Sequence, residues 1–181
     1  MSNKNISVKE YINSFTFEAF GAFIHPPWSL RLKAFWAQNG NNQLLLSGFA
    51  VRTIDVETDK RTYSNTALAG AWLDFSYLFG CDDKELGVFV GGGKNLGSSE
   101  RLYIEPTTGL PIIYSLTEFG PFIDSVFRVA PRFIVKKDPF RFGIEVDVTR
   151  ASFGNPNSFG KVLNGVPVTN ARFLLAFYYM F

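Results

Sequence analysis

Apolar residues recur along this chain at every second position, the period of a β-strand, and rarely at helical spacing. The clearest stretch starts at Phe140, where Phe140, Phe142, Ile144, Val146 and Val148 alternate with Arg141, Gly143, Glu145, Asp147 and Thr149. Trp28, Leu30, Leu32, Ala34 and Trp36 repeat the pattern against Ser29, Arg31, Lys33 and Phe35. From 123 to 135, Ile123, Phe127, Val129, Phe133 and Val135 oppose Asp124, Arg128 and Arg132. The final stretch sets Phe173, Leu175, Phe177, Tyr179 and Phe181 on one side. Segments 14–24, 43–54, 66–79 and 84–93 also read as strands, although the Leu44-Leu-Leu46 run leaves the register of 43–54 open. The pattern therefore predicts eight strands, no helix and no internal repeat.

The connections carry a second regularity. Gln38-Asn-Gly-Asn-Asn42, Gly80-Cys-Asp-Asp83 and Lys136-Lys-Asp-Pro139 are short and rich in turn-forming residues. The alternate connections, 55–65, 94–121 and 152–169, are long. Only Ile24-His-Pro-Pro27 breaks the rule, being short at the end predicted to carry long loops. Short turns at one end and long loops at the other describe an outer-membrane barrel, and an even strand count puts both termini at the short-turn end. The expected fold is all-β: an antiparallel up-and-down transmembrane β-barrel of about eight strands, complete or part of a larger one. A polar segment, 1–13, precedes this domain at 14–181.

Composition sharpens the choice between a barrel in lipid and one in water. Of 181 residues, 20 are Phe, 17% are aromatic and only 19% charged, against about 25% charged in an average soluble domain. So much apolar content excludes a disordered chain. A water-soluble barrel turns its charges outward and needs many of them. Here the few charges sit more naturally around a wet interior, and Glu18, Arg31, Lys33, Asp74, Asp124, Arg128, Arg132, Arg141, Glu145, Asp147 and Arg172 form the expected lumen-facing set. No apolar run approaches the ~20 residues of a helical span, whereas ~9–11 residues suffice for a tilted strand. A formal net charge of +2 provides no basic field for nucleic acid. Trp28, Trp36, Tyr77, Tyr178 and Tyr179 fall near strand ends, as interfacial aromatics do.

The last residues are the most specific feature. Phe173, Leu175, Phe177, Tyr179 and the terminal Phe181 look like the C-terminal assembly signal of outer-membrane barrels, a strand edge offered to the barrel assembly machinery by strand addition. Further motifs occur in order: Lys94-Asn-Leu-Gly97, Arg128-Val-Ala-Pro-Arg132, Phe142-Gly-Ile-Glu145, Thr149-Arg-Ala151, Gly154-Asn-Pro156, Gly160-Lys-Val162 and Val168-Thr-Asn-Ala-Arg-Phe-Leu-Leu175. Together they resemble the C-terminal half of porin-like outer-membrane proteins of Bacteroidetes-type bacteria, over residues 66–181. The resemblance implies a bacterial outer-membrane location, contact with its lipids, passive diffusion of small hydrophilic solutes and no cofactor, and it leaves a homo-oligomer open. Proteins of that family are longer and start with an export signal, which the polar stretch from Met1 to Glu10 lacks. The given chain is then expected to be a processed or incomplete one.

Other chemistry is thinner. Some eight-stranded outer-membrane barrels are lipid-modifying enzymes with a His and a Ser near the rim; here His25, the single histidine, precedes Pro26-Pro27 with Ser29 nearby, but a rim or turn histidine is the simpler reading, so no enzyme is expected. Val90-Gly-Gly-Gly-Lys-Asn95 lacks phosphate-loop spacing and reads as a strand end entering a loop. Cys81, the single cysteine, lies in a turn beside Asp82 and Asp83, which excludes an intrachain disulfide and a Cys-rich metal site. Eight strands enclose only enough room for side chains, so a porin needs more strands than these. The alternative is a closed eight-stranded anchor whose long loops bind a partner. Pro131, unable to donate to a ladder, suggests a bulge within its strand.

Overall fold

A computed structural model describes residues 11–40, 46–81, 83–115 and 122–179. Period-two patterning yields strands throughout: β1 (Thr16–His25), β2 (Trp28–Gln38), β3 (Phe49–Ile54), β4 (Arg61–Asn65), β5 (Ala67–Phe79), β6 (Lys84–Gly97), β7 (Ile113–Tyr114), β8 (Phe122–Lys137), β9 (Phe140–Gly154) and β10 (Val166–Tyr179). Seven of them form one antiparallel sheet in the order β1-β2-β5-β6-β8-β9-β10, and β4-β3-β7 form a small second sheet. The described residues contain no helix long and apolar enough to cross a membrane. Among them, β1 and β10 are the two edges of the large sheet, each paired on one side.

The large sheet has seven strands rather than the predicted eight. Segment 43–54 is the difference: its described strand, β3, leaves the large sheet to pair with β4 and β7. The physical reason is the buried position of Ala50 and Val51, which pack into the loops instead of facing solvent or lipid. Gln38, Asn39 and Gly40 thus begin a long excursion from the large sheet and not a hairpin within it, and the rest of the expected turn, 41–42, lies outside the described residues. This removes the earlier exception: β1–β2, β5–β6 and β8–β9 all turn tightly at one end, and every connection at the other end is long. An odd count also makes β1 and β10 run the same way, so β1 begins at the long-connection end and β10 finishes at the short-turn end. The expectation that both termini share the short-turn end is corrected accordingly, and His25 lies at the short-turn rim.

Several strands run further toward the long-connection end than their patterns predict. β6 continues to Gly97, β9 to Gly154, and β10 starts at Val166. The glycines 91–93 are therefore within a strand, not at its end. Register is unbroken where Pro131 faces Val88; the irregularity lies instead between Ile123 and Ser125, against β9.

The dry core sits outside the large sheet. Ala50, Leu102 and Ile113 cluster with Phe122 at the long-connection end, within a cap built from the small sheet and the long loops. The loops are tied by backbone bonds: Ser98 N donates to Phe159 O, Leu102 N to Ser158 O, Tyr103 N to Val51 O and Val51 N to Ile112 O. Gly160, at φ +70°, lies where Leu102, Ile113 and Thr66 would crowd any side chain, so both conformation and space favour glycine there. The β3–β4 turn is held by Asp55, whose carboxylate accepts the Glu57 and Thr58 amides, and these bonds hold its pKa below the ordinary carboxylate value.

Candidate functional site

Directly opposed residues of an antiparallel sheet project to the same side, so the registers sort the large sheet into two faces. One face carries Phe17, Phe23, Trp28, Leu32, Trp36, Leu73, Phe75, Tyr77, Leu86, Val90, Phe127, Phe133, Phe142, Val146, Phe173, Phe177 and Tyr179. On this face, charges occur only at the rims. Lys84 and Lys137 stand at the short-turn end, Lys94 and Arg150 at the other. Between them, among the described residues, there is no Asp, Glu, Lys or Arg. Large side chains on this apolar face are exposed: Phe177 is 66% exposed, Leu175 62% and Leu86 51%.

Aromatic rings concentrate on it near the turns. Trp28 stacks at a tilt against Tyr77, 4.6 Å between centroids, and Phe140 lies 5.5 Å from both Phe177 and Tyr179. Trp36, against Phe17 at 5.8 Å, occupies the opposite end of the same face. Tyr178 projects to the other side, opposite Arg141.

The other face holds charge. Glu18, Arg31, Lys33, Asp74, Arg128, Arg132, Arg141, Glu145, Asp147 and Arg172 all project there, by the same registers. Asp124 does not join them: it falls in the β8 irregularity and pairs at 3.4 Å with the rim residue Lys94. Extra chain at a bulge re-aims side chains, which is why alternation misplaces both Asp124 and Ile123.

Most of these charges are paired with one another. Arg132 on β8 reaches over β6 to Asp74 on β5 through two bonds of 2.7 and 2.8 Å. It can do so because Gly87 lies between them; a Cβ there would come within 2.6 Å of Arg132 Nε. Asp147, 1% exposed, joins Arg128 at 3.0 Å and Arg172 at 2.7 Å, and accepts from the Thr149 hydroxyl at 2.9 Å. Arg128 lies over the Phe89 ring and also meets Glu145 at 3.4 Å. Lys33 pairs with Glu18 at 2.9 Å.

Alternation alone missed two members of this network. Glu85 pairs with Lys136 at 3.0 Å and lies 3.8 Å from Arg132. The residue pattern places Lys136 in a turn, whereas β8 extends past it. Glu85 is followed at every second position by Gly87, Phe89, Gly91 and Gly93, and this small-residue phase marks the crowded charged face. That signal was available in the residues.

At the short-turn end the charged face forms a groove of 650 Å³ between β8, β9 and β10, with Arg132, Lys136, Arg141, Glu145 and Tyr178 in its wall. At the long-connection end the same face is covered. Ala37, Leu68 and Asn95 are buried there, and Asn95 donates to Gly160 O at 3.0 Å. The long loops therefore fold over this side of the sheet.

The remaining candidates stay dispersed. His25 projects on the apolar face, stacked at 6.2 Å on Phe23, while Ser29 projects on the charged one. Cys81 is an exposed turn residue. Among the described residues no group of three or more His, Cys, Asp and Glu is arranged to hold a metal. Of the assembly-signal residues, Phe173, Leu175, Phe177 and Tyr179 share the apolar face of β10, and Phe181 lies outside the described residues. No family model, curated protein or solved structure matches this chain.

Proposed function

We propose that this chain forms wall strands of a porin-like β-barrel in a bacterial outer membrane, with its apolar face in lipid and its charged face lining a water-filled path for small hydrophilic solutes. The observation that carries the reading is the charge-free band between the rim lysines. Lys84 and Lys94 bound it on β6; at 3.4 Å per residue they are about 34 Å apart along the strand, or about 24 Å across at a 45° tilt. Outer-membrane barrels carry an apolar band ~25 Å tall, flanked by aromatic girdles. A sheet in water would bury its phenylalanines; here Phe17, Phe173 and Phe177 are left exposed on a face whose middle carries no charge.

Seven strands do not enclose a channel, since even eight only fill their own interior. The proposed pore is therefore larger than the described sheet, and its two unpaired edges are where further strands add. Long apolar edges are aggregation sites in water, and pairing with other barrel strands relieves this for β1 and β10. β10 with its in-phase aromatics is also the strand proposed to engage the assembly machinery.

Substitution on opposite faces of one strand tests the membrane reading. Leu73→Arg places a charge at the middle of the apolar face and is expected to cost about 2–4 kcal/mol of folding free energy in bilayers. Ser76→Arg, on the charged face of the same strand, is expected to fold into phosphatidylcholine vesicles like the parent. A chain that stays monomeric in buffer without detergent, and accepts both substitutions equally, would overturn the proposal.

A further inference from the structure

Pairing on the charged face is incomplete, and the excess has one sign. Counting Lys136 and Glu85, the face presents seven cations (Arg31, Lys33, Arg128, Arg132, Lys136, Arg141, Arg172) and five anions. The acids are all engaged: Glu18 by Lys33, Asp74 by Arg132, Glu85 by Lys136, and Glu145 and Asp147 by Arg128 and Arg172.

Arg31 and Arg141 make no ion pair among the described residues. Arg141 is placed for use. It stands directly opposite Lys136 in the β8–β9 register, on the wall of the 650 Å³ groove, with Tyr178 as its neighbour on β10. Lys136 is already matched by Glu85 at 3.0 Å, so the uncompensated charge in the groove is that of Arg141. The groove's two acids do not offset it, being held by Arg128, Arg132 and Lys136.

We propose that this groove is an anion subsite, with the unpaired Arg141 donating from its guanidinium, so that the permeation path favours small anions over cations. The inference rests on the pore reading and adds to it the class of solute. A guanidinium presents a planar fork that suits carboxylate and phosphate oxygens, and a ring or patch of one sign sets the preference of a water-filled path. Arg31, near the same end of β2, adds to the field without belonging to the groove.

Reversal potentials in planar bilayers under a potassium chloride gradient test this, using the parent, Arg141→Gln, Arg31→Gln/Arg141→Gln and Arg141→Lys. The parent is expected to favour chloride; Arg141→Gln shifts the potential toward that of potassium, and the double variant shifts it further. Arg141→Lys keeps the parental sign. Inorganic phosphate added on the short-turn side is expected to reduce parental chloride current and to have a weaker effect on Arg141→Gln. Arg141 is exposed, so its loss leaves folding intact, which the heat-modified electrophoretic shift of each variant checks. Conductance without anion preference, or with a preference unchanged in Arg141→Gln, overturns the subsite and leaves the pore. Absence of any conductance from parent protein assembled into a closed barrel, with both sheet edges paired, overturns the pore and the subsite with it.

Discussion

Asp74 and Arg132 show how one residue's setting decides its worth. Their bidentate bond is mostly shielded, with side chains 21% and 19% exposed, and Glu85 at 3.8 Å is the guanidinium's next acid. Asp74→Asn is expected to lower stability by about 2 kcal/mol, below the cost of breaking a fully buried pair because water still reaches both groups. Glu18 and Lys33 form a single contact of 2.9 Å, and Glu18 is 45% exposed; Glu18→Gln is expected to change stability by less than ~1 kcal/mol. Urea midpoints of protein folded in detergent micelles or vesicles separate the two. Alternation marked Asp74 and Arg132 as co-facial, but not as partners. They stand on strands separated by β6, so their meeting depends on a registration between three strands that no local pattern contains.

At the scale of elements, glycine placement explains how a face crowded with long side chains remains packable. Gly87 leaves the passage through which Arg132 reaches β5, and Gly70 lies against the Phe35 ring at 2.5 Å from where a Cβ would sit. Gly87→Val is therefore expected to displace Arg132 and to cost about as much as Asp74→Asn, with the two effects well short of additive in the double variant. Gly21→Ala, where the nearest atom is Leu32 Cδ1 at 3.6 Å, is expected to be near neutral. A double-mutant cycle on urea midpoints reads both; full additivity would mean that Gly87 does not act through the Asp74 pair. Strand identity was legible because apolar and polar residues alternate so regularly in β2, β5, β9 and β10. The assignment of β3 was not, since a segment apolar on both sides suits a lipid-facing wall and a buried loop sheet equally, and contacts with β4 and β7 decide between them.

For the whole molecule, the division is between a sheet whose buried residues are few and scattered, such as Ala37, Leu68 and Ala130, and a cap with a packed apolar cluster. Ala50, Leu102 and Ile113 are packed together while Phe173 and Phe177 remain bare. In the proposed setting lipid covers the bare face, and the cap narrows the path at the long-connection end. Replacing 103–111 with a short Gly-Ser linker, keeping Leu102 and Ile113, is expected to raise unit conductance while the sheet stays folded. Unchanged conductance in planar bilayers would place that loop clear of the path. This outcome is separable from the anion preference, because the groove lies at the other end of the charged face.

Side-chain chemistry in period two was enough to determine that the described chain is all-β and, outside the β8 irregularity that takes in Ile123 and Asp124, which of the assigned strand residues share a face. These are local properties: a strand turns over at each residue, so alternation reports directly on sidedness. Tertiary structure decided that seven strands form the large sheet, that the β1–β2 turn joins the other short turns, and that both sheet edges are unpaired among the described residues. It also decided that Glu85 and Lys136 complete the charge network and that Arg141 is left over. Strand count, pairing partners and residual charge depend on which distant segments meet, and that is set by packing and register across the sheet rather than by the order of residues along any one strand.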